Sequence, residues 1–464
     1  MCNQRDVIPI KSIKLVKRIT FYTFKMKRAL EKELLKWSNK PERLPLIIQG
    51  ARQVGKTYLM KWLGAIRYSK MAYLNFDERP ELRTLFLSNK DVDRIITELG
   101  YVVGFRIDSD TLVVLDELQE CPEALSSLKY FAEGRPDISV VGAGSLLGIL
   151  LHSGHSFPVG KVEFMTLHPM TFREVLGVWS PSMLEYLEQR TVMEPLPEVF
   201  YNDLKFQFKR YLISGGMPKS VEALTQTNDA LESDAVLDNL LLAYRGDFAK
   251  HPRASDVAKL SLIWDSIPSQ LARENKKFMF SLVRSGARAR EYEDALEWLV
   301  RSGLVHRLRQ VSKPGLPLKA YEDASAFKIY LCDVGLLRRM ARLPSTIYAE
   351  GDRMFTEFHG ALTENYVLQS LTAQKFLNVN YWNSGNTAEV DFVLQSGSLI
   401  VPAEAKSAEN IRSRSLSVYT QKFHPDVRIR FSLRNLDYTN GLLNIPLFLT
   451  DWTEELIALS QRTN

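Results

Sequence analysis

The stretch Gly50-Ala51-Arg52-Gln53-Val54-Gly55-Lys56-Thr57 constrains this chain more than any other. Its GxxxxGK[ST] spacing needs a buried strand running into it and a helix starting from it. Both flanks comply. Leu46-Ile47-Ile48-Gln49 is a short apolar run with strand character, and Thr57 to Leu63 opens with helical apolar spacing. A glycine-rich turn between strand and helix aims backbone N–H groups and the positive end of the helix dipole at phosphate. Gly50, Ala51, Arg52, Gln53, Val54, Gly55, Lys56 and Thr57 are therefore expected to cradle ATP. Lys56 would reach the β- and γ-phosphates, and the Thr57 hydroxyl would ligate Mg²⁺.

A second anchor is Leu112-Val113-Val114-Leu115-Asp116-Glu117, an apolar strand ending in two acids. Asp116 is placed to support the metal, and Glu117 to orient and deprotonate the attacking water. Adjacent acids favour a hydrolase over a small-molecule kinase, whose base would sit elsewhere. The strand Val140-Val141-Gly142-Ala143 runs on through Gly144 to Ser145, which suits a sensor of the γ-phosphate or of water; a helix cap is the competing reading. No single arginine finger can be chosen. Arg52 reads as a local contact within the loop, and Arg135, Lys161 and Arg173 are candidates.

Composition is that of a globular chain: 464 residues, 45% hydrophobic, 25% charged. The net charge of +6 permits a nucleic-acid partner without requiring one. Cys2, Cys121 and Cys332 form no CxxC pair, which argues against a disulfide framework or zinc ribbon and fits a reducing cytoplasm. No apolar run approaches a membrane span, and lysines interrupt every apolar stretch of the N-terminal region, so neither a membrane nor a signal peptide is expected. His152-Ser153-Gly154-His155 has the look of a ligand pair but lacks nearby Cys or carboxylates, and reads as loop histidines.

The pattern along the chain predicts an α/β protein in several parts. Residues 1–25 are a basic extension, unless Met26 is the true start. Residues 26–170 alternate strands with helices and predict a parallel sheet covered on both faces. Residues 171–253 read as a helical lid, broken at Gly215-Gly216-Met217-Pro218. Residues 254–345 read as helices followed by a β-ribbon, a winged-helix pattern. Residues 346–464 form a second α/β unit, with strands expected near 379–382, 389–394, 399–405 and 428–431.

The Gly50–Thr57 string, Leu115-Asp116-Glu117, Pro158-Val159-Gly160-Lys161 with Pro169-Met170-Thr171-Phe172, and Gly215-Gly216-Met217-Pro218 together resemble one prokaryotic family. That family pairs an AAA-type, ASCE-class P-loop ATPase domain with a C-terminal domain of unknown function. The resemblance implies a P-loop NTPase sheet over 26–170. The family often carries Arg where this chain has Lys161, which weakens a finger role there.

In the C-terminal unit, Glu404 and Lys406 are two apart on one strand and so share a face. Asp391 lies on the partner strand of the same hairpin, and Glu364 on the preceding helix. This set resembles the PD-(D/E)xK core of restriction-endonuclease-like folds. The resemblance implies that Glu364, Asp391 and Glu404 hold Mg²⁺ while Lys406 helps activate water, with Asp391, Glu404 and Lys406 as the catalytic group. Such folds also serve purely as binding modules.

Two outputs fit an ATPase of this organisation. One is action on DNA or RNA through the endonuclease-like domain, with Arg284, Arg288, Arg290, Arg301, Arg307, Arg309, Arg338 and Arg339 as candidate contacts. The other is a nucleotide switch whose partner is a protein, with the interface on the helical region and the C-terminal carboxylates inert; a finger acting in trans would require a homo-oligomer.

Overall fold

The computed structural model describes residues 26–145, 160–249, 254–274, 276–345, 358–374, 376, 378–385, 388–407 and 414–462. The 1–25 extension and the His152/His155 pair lie outside them. The chain divides into two compact units. The first takes residues 29–49 and 55–166 of the described chain, and the second takes 26–28, 50–54 and 167 onward.

The first unit is built on β1 (Leu46–Gln49), β2 (Lys70–Asn75), β3 (Thr111–Asp116), β4 (Ser139–Ala143) and β5 (Glu163–Thr166). They lie in the order β2-β3-β4-β1-β5, and every neighbouring pair is parallel. Parallel neighbours need crossovers, supplied here by helices such as Lys56–Arg67, Val92–Val103 and Pro122–Gly134. Local chemistry fixes their ends. Asp91 accepts from the N–H groups of Asp93 and Arg94 to start one helix, and Gly104 at φ 78° stops it. β3 is buried at every position, as a central strand covered on both faces must be. Ile47, Leu74, Val113, Leu115 and Val140 form the core with Leu99, Leu128 and Phe131 of the helices. The P-loop sheet expected over 26–170 is present.

The second unit holds a helical region followed by an eight-stranded mixed sheet. Its strands are β6 (Val305–Val311), β7 (Glu322–Leu331), β8 (Asn378–Asn383), β9 (Glu389–Ser396), β10 (Leu399–Ala405), β11 (Arg428–Ser432), β12 (Asp437–Thr439) and β13 (Leu442–Pro446). Their order is β12-β13-β11-β10-β9-β8-β6-β7. The β9–β10 hairpin turns at Gly397, φ 60°, between the paired residues Ser396 and Leu399.

The sheet departs from the expected organisation at one point. The ribbon read as the wing of a separate domain is β6–β7, and β6 pairs in parallel with β8, Arg309 opposite Asn380. The boundary expected at 345/346 therefore cuts a continuous sheet, and all three regions drawn after 170 belong to one compact unit. Sequence shows that a ribbon has β character but not which strand lies beside it.

The Gly215-Gly216 break is a buried polar node. Asp333 accepts from Gly216 N–H at 2.5 Å, Leu336 N–H at 3.0 Å and Gln369 Nε2 at 3.3 Å. Gly215 has φ 62° and ψ −159°, a conformation open only to glycine. A Cβ there would lie 2.1 Å from Asp333 Oδ1.

Candidate nucleotide site and carboxylate–lysine cluster

The left-handed Gly55, φ 102°, turns the chain into the helix that carries Lys56 and Thr57. Lys56 is buried, and Thr57 Oγ1 donates to Asp116 Oδ2 at 2.7 Å. Asp116 ends the buried β3, so its carboxylate stands at the C-terminal edge of the sheet, where open α/β sheets bind ligands. Its Oδ2 also accepts from Tyr73 OH at 2.8 Å, and its Oδ1 from Glu117 N–H at 3.0 Å. Burial and then Asp116 push the Tyr73 hydroxyl's pKa up, which keeps it a donor. A threonine hydroxyl beside a buried carboxylate is a pair of hard oxygen donors, which fits Mg²⁺.

Glu117 follows in the left-handed region, φ 55°, a conformation unusual for a non-glycine residue and concentrated at functional sites. Gln119 Nε2 donates to its Oε2 at 2.5 Å. Ser145 lies just past the end of β4 and is half-buried. The motifs of the sequence do not point to Tyr73 or Gln119. For Tyr73 the available signal is register: β2 pairs with β3 so that Asn75 faces Asp116, and Tyr73, two residues back, shares its face.

The first part of the loop, Gly50 to Val54, is held by other residues of the second unit. Arg28 donates to Val54 O and to His168 O, both at 2.7 Å, and pairs with Glu174 at 3.2 Å. Tyr244 OH donates to Arg52 O at 3.0 Å, and the Arg52 guanidinium pairs with Asp247 at 2.5 Å. Arg52 was expected as a contact within the loop, and its partner Asp247 instead lies 195 residues along the chain. Gly50 has φ 146°, and a Cβ there would sit 2.1 Å from Leu167 O. The finger candidates are all engaged: Arg135 with Asp93 and Asp137, Lys161 with Glu133, Arg173 with Glu188 and Glu455.

The C-terminal residues do converge. Glu364 is buried on helix His359–Ala373; its Oε1 pairs with Lys276 Nζ and its Oε2 accepts from Tyr330 OH at 2.9 Å. Asp391 Oδ2 accepts from Ala405 N–H at 3.0 Å. Glu404 Oε1 accepts from Leu416 N–H at 3.1 Å, and Lys406 Nζ lies 3.5 Å from Glu404 Oε2. The fully buried Lys328 pairs with Glu389 at 2.5 Å. Burial and then the Glu364 charge push the Asp391 pKa up to about 7, against the pull of Lys328, Lys406 and Lys276. Burial would raise the Glu364 pKa too, but Lys276 and Lys328 outweigh it and hold it below the usual range.

The expected Mg²⁺ set of Glu364, Asp391 and Glu404 is not formed: among the described residues no group of three His, Cys, Asp or Glu is arranged to hold a metal ion. Both oxygens of Glu364, both of Glu404 and Oδ2 of Asp391 meet ammonium, hydroxyl or backbone N–H groups instead. Lys276, Lys328, Tyr330 and Glu389 join the cluster without having been expected there. Sequence does carry a signal for Lys328 and Tyr330, since these two polar residues alternate on one face of the apolar run Phe327–Leu331.

The sheet order, the loop and the Thr57–Asp116 contact define a P-loop ATPase fold of AAA type. Residues 42–176 match the family model described as an AAA domain. Residues 205–346 and 359–448 match two domains of unknown function, DUF8612 and DUF4143. Solved structures similar to the chain include a Walker-type ATPase of Pyrococcus abyssi, at 15% identity and TM-score 0.44, covering 68% of this chain and 96% of that one. The ORC1 protein of Aeropyrum pernix, solved in complex with DNA, is 14% identical at TM-score 0.26, covering 71% and 96%. The ADP form of the same organism's ORC2 protein is 15% identical at TM-score 0.33, covering 70% and 96%. No curated protein matches the chain. Among the described residues, no helix is long and apolar enough to cross a membrane.

Proposed function

We propose that this protein is a Mg²⁺-dependent ATPase whose nucleotide state governs binding of nucleic acid by the second unit. The observation that carries the ATPase reading is the hydrogen bond from Thr57 Oγ1 to Asp116 Oδ2, with Glu117 next in chain. Thr57 and Asp116 would hold Mg²⁺, and the ion, when bound, neutralises phosphate charge. Lys56 would pair with the phosphates. Glu117 accepts the proton of the attacking water, and Gln119 positions its carboxylate. Ser145 is the proposed sensor at the end of β4.

The nucleic-acid half rests on which arginines are already paired. Arg301, Arg307, Arg309, Arg338 and Arg339 are engaged by Glu297, Glu293, Glu322, Asp234 and Asp238. Arg284, Arg288 and Arg290 are exposed, and among the described residues none has an ion pair. Three uncompensated arginines within one short segment suit a phosphate backbone. The test is ATP hydrolysis with and without DNA or RNA across a salt series. Stimulation lost at high salt, and weakened when all three arginines are changed to alanine, is expected. Stimulation untouched by those changes refutes the contact surface, and no binding at low salt refutes the nucleic-acid reading.

A second reading has its own observation. Val199, Phe206, Leu231 and Leu242 are 59–75% exposed on helices Glu198–Ser214 and Ala230–Phe248. An apolar surface of this kind suits a protein partner or a further copy of the chain. ATP-dependent self-association that is abolished by Phe206→Glu would favour this reading.

A further inference from the structure

We infer that the cluster around buried Glu364 and half-buried Asp391 is a metal-free charge network, in which the Lys276 ammonium takes the place of the Mg²⁺ expected beside them. The inference goes beyond the ATPase reading and does not depend on it. The positive charge comes from outside the C-terminal strands. Lys276 lies just after helix Ala254–Leu271, outside the C-terminal strands and their helix. Phe278 N–H donates to Phe327 O at 2.8 Å and pins this segment along β7. The Lys276 side chain is thereby only 13% exposed where it meets Glu364, itself 8% exposed.

Around this pair three ammonium groups meet four carboxylates. Lys276, Lys328 and Lys406 face Glu364, Glu389, Asp391 and Glu404. Neutral donors fix the carboxylates further: Tyr330 OH on Glu364, Ala405 N–H on Asp391, Leu416 N–H on Glu404. A divalent cation here would have to take up several carboxylate oxygens at once. It would also have to expel Lys276 or sit against three ammonium groups, and a buried ammonium stripped of its partner is strongly destabilising. The donor set therefore does not fit Mg²⁺, and we assign no phosphodiester hydrolysis to this cluster.

The experiment is a Mn²⁺ titration, followed by electron paramagnetic resonance and by thermal melting, on the full chain without nucleotide. Wild type and Asp391→Asn are expected to bind Mn²⁺ identically, since any remaining site lies elsewhere. Lys276→Met, which removes the ammonium and keeps the apolar stem, is expected to melt lower. It should gain one Mn²⁺ site that raises its melting temperature, and the Lys276→Met/Asp391→Asn double variant should lack that site. A wild-type site that Asp391→Asn removes would overturn the inference. So would a folded Lys276→Met variant with no gained site, because Lys276 would then not be the stand-in. If Lys276→Met does not fold, the comparison of wild type with Asp391→Asn decides alone. Because no nucleotide is present, failure here leaves the ATPase reading intact, and failure of the ATPase assays leaves this result intact.

Discussion

Replacing Glu117 by glutamine separates nucleotide binding from hydrolysis in this site. The backbone at Glu117 is held left-handed, with its N–H on Asp116 Oδ1 at 3.0 Å, and glutamine changes neither feature. The change removes only the capacity to take a proton. A positioned general base is worth roughly 10²–10⁴ in rate. At about 1.4 kcal/mol per tenfold, that is roughly 3–5 kcal/mol of barrier. The metal pair is untouched, because Thr57 and Tyr73 meet Asp116 and not Glu117. Single-turnover hydrolysis should therefore fall by two to four orders of magnitude, roughly the worth of a general base. ATP affinity, read by fluorescence of a labelled nucleotide, should stay within about threefold, well under the roughly 1.4 kcal/mol of a tenfold change. Hydrolysis at the wild-type rate would refute Glu117 as the base. An equal fall in affinity and rate would refute the division of labour between the two acids.

Lys56→Ala should abolish ATP binding in the same assay, and Thr57→Ala should weaken the Mg²⁺-dependent part of it. Gly215→Ala forces a side chain into a glycine-only conformation, worth about 1–3 kcal/mol, with its Cβ 2.1 Å from Asp333 Oδ1, so the urea midpoint should drop clearly. Asp333 is fully buried, and burial pushes its pKa up to about 6 from 3.8. A raised carboxylate pKa means the folded state binds the proton more tightly, so this group stabilises at low pH and loses that contribution as pH rises from about 4 through about 6. Asp333→Asn lacks the proton equilibrium, so the wild-type advantage in melting temperature should widen as pH is lowered from 7 to 5. An advantage constant over that range would show that Asp333 does not titrate there.

Much of the first unit was legible because its signals are local. The loop, its flanking strand and helix, and the apolar run into Asp116-Glu117 are each a few consecutive residues with a defined period. The strands read at 389–394 and 399–405 are β9 and β10, because a glycine turn between two alternating runs fixes a hairpin. Neighbours contributed from far along the chain were not legible. Tyr73 reaches Asp116 only through parallel register, and Lys276 meets Glu364 across 88 residues of chain. The β6–β8 pairing that merges the expected wing with the C-terminal sheet is likewise a long-range parallel contact.

The two acidic constellations both suggest a metal site in sequence, Asp116-Glu117 at the end of an apolar strand and Asp391 with Glu404 on one hairpin. What separates them is the kind of donor that surrounds the carboxylates. Asp116 is met by two hydroxyls and a backbone N–H, all neutral, so its hydrogen bonds are satisfied while its charge is not. A carboxylate in that state attracts a cation, and the adjoining phosphate loop offers a ligand that brings one. Glu364 and Glu389 are met directly by ammonium groups, and Lys276, Lys328 and Lys406 all pull the Asp391 pKa down. Their charge is already largely compensated within the chain, three ammonium groups against four carboxylates, and a dication entering would cost a buried lysine its partner. With Lys276 neutral, Lys328 would be left to act on Glu364. On the two proposals above, Lys276, from outside the hairpin, is the side chain that keeps these carboxylates from a metal ion while Asp116 stays open to one.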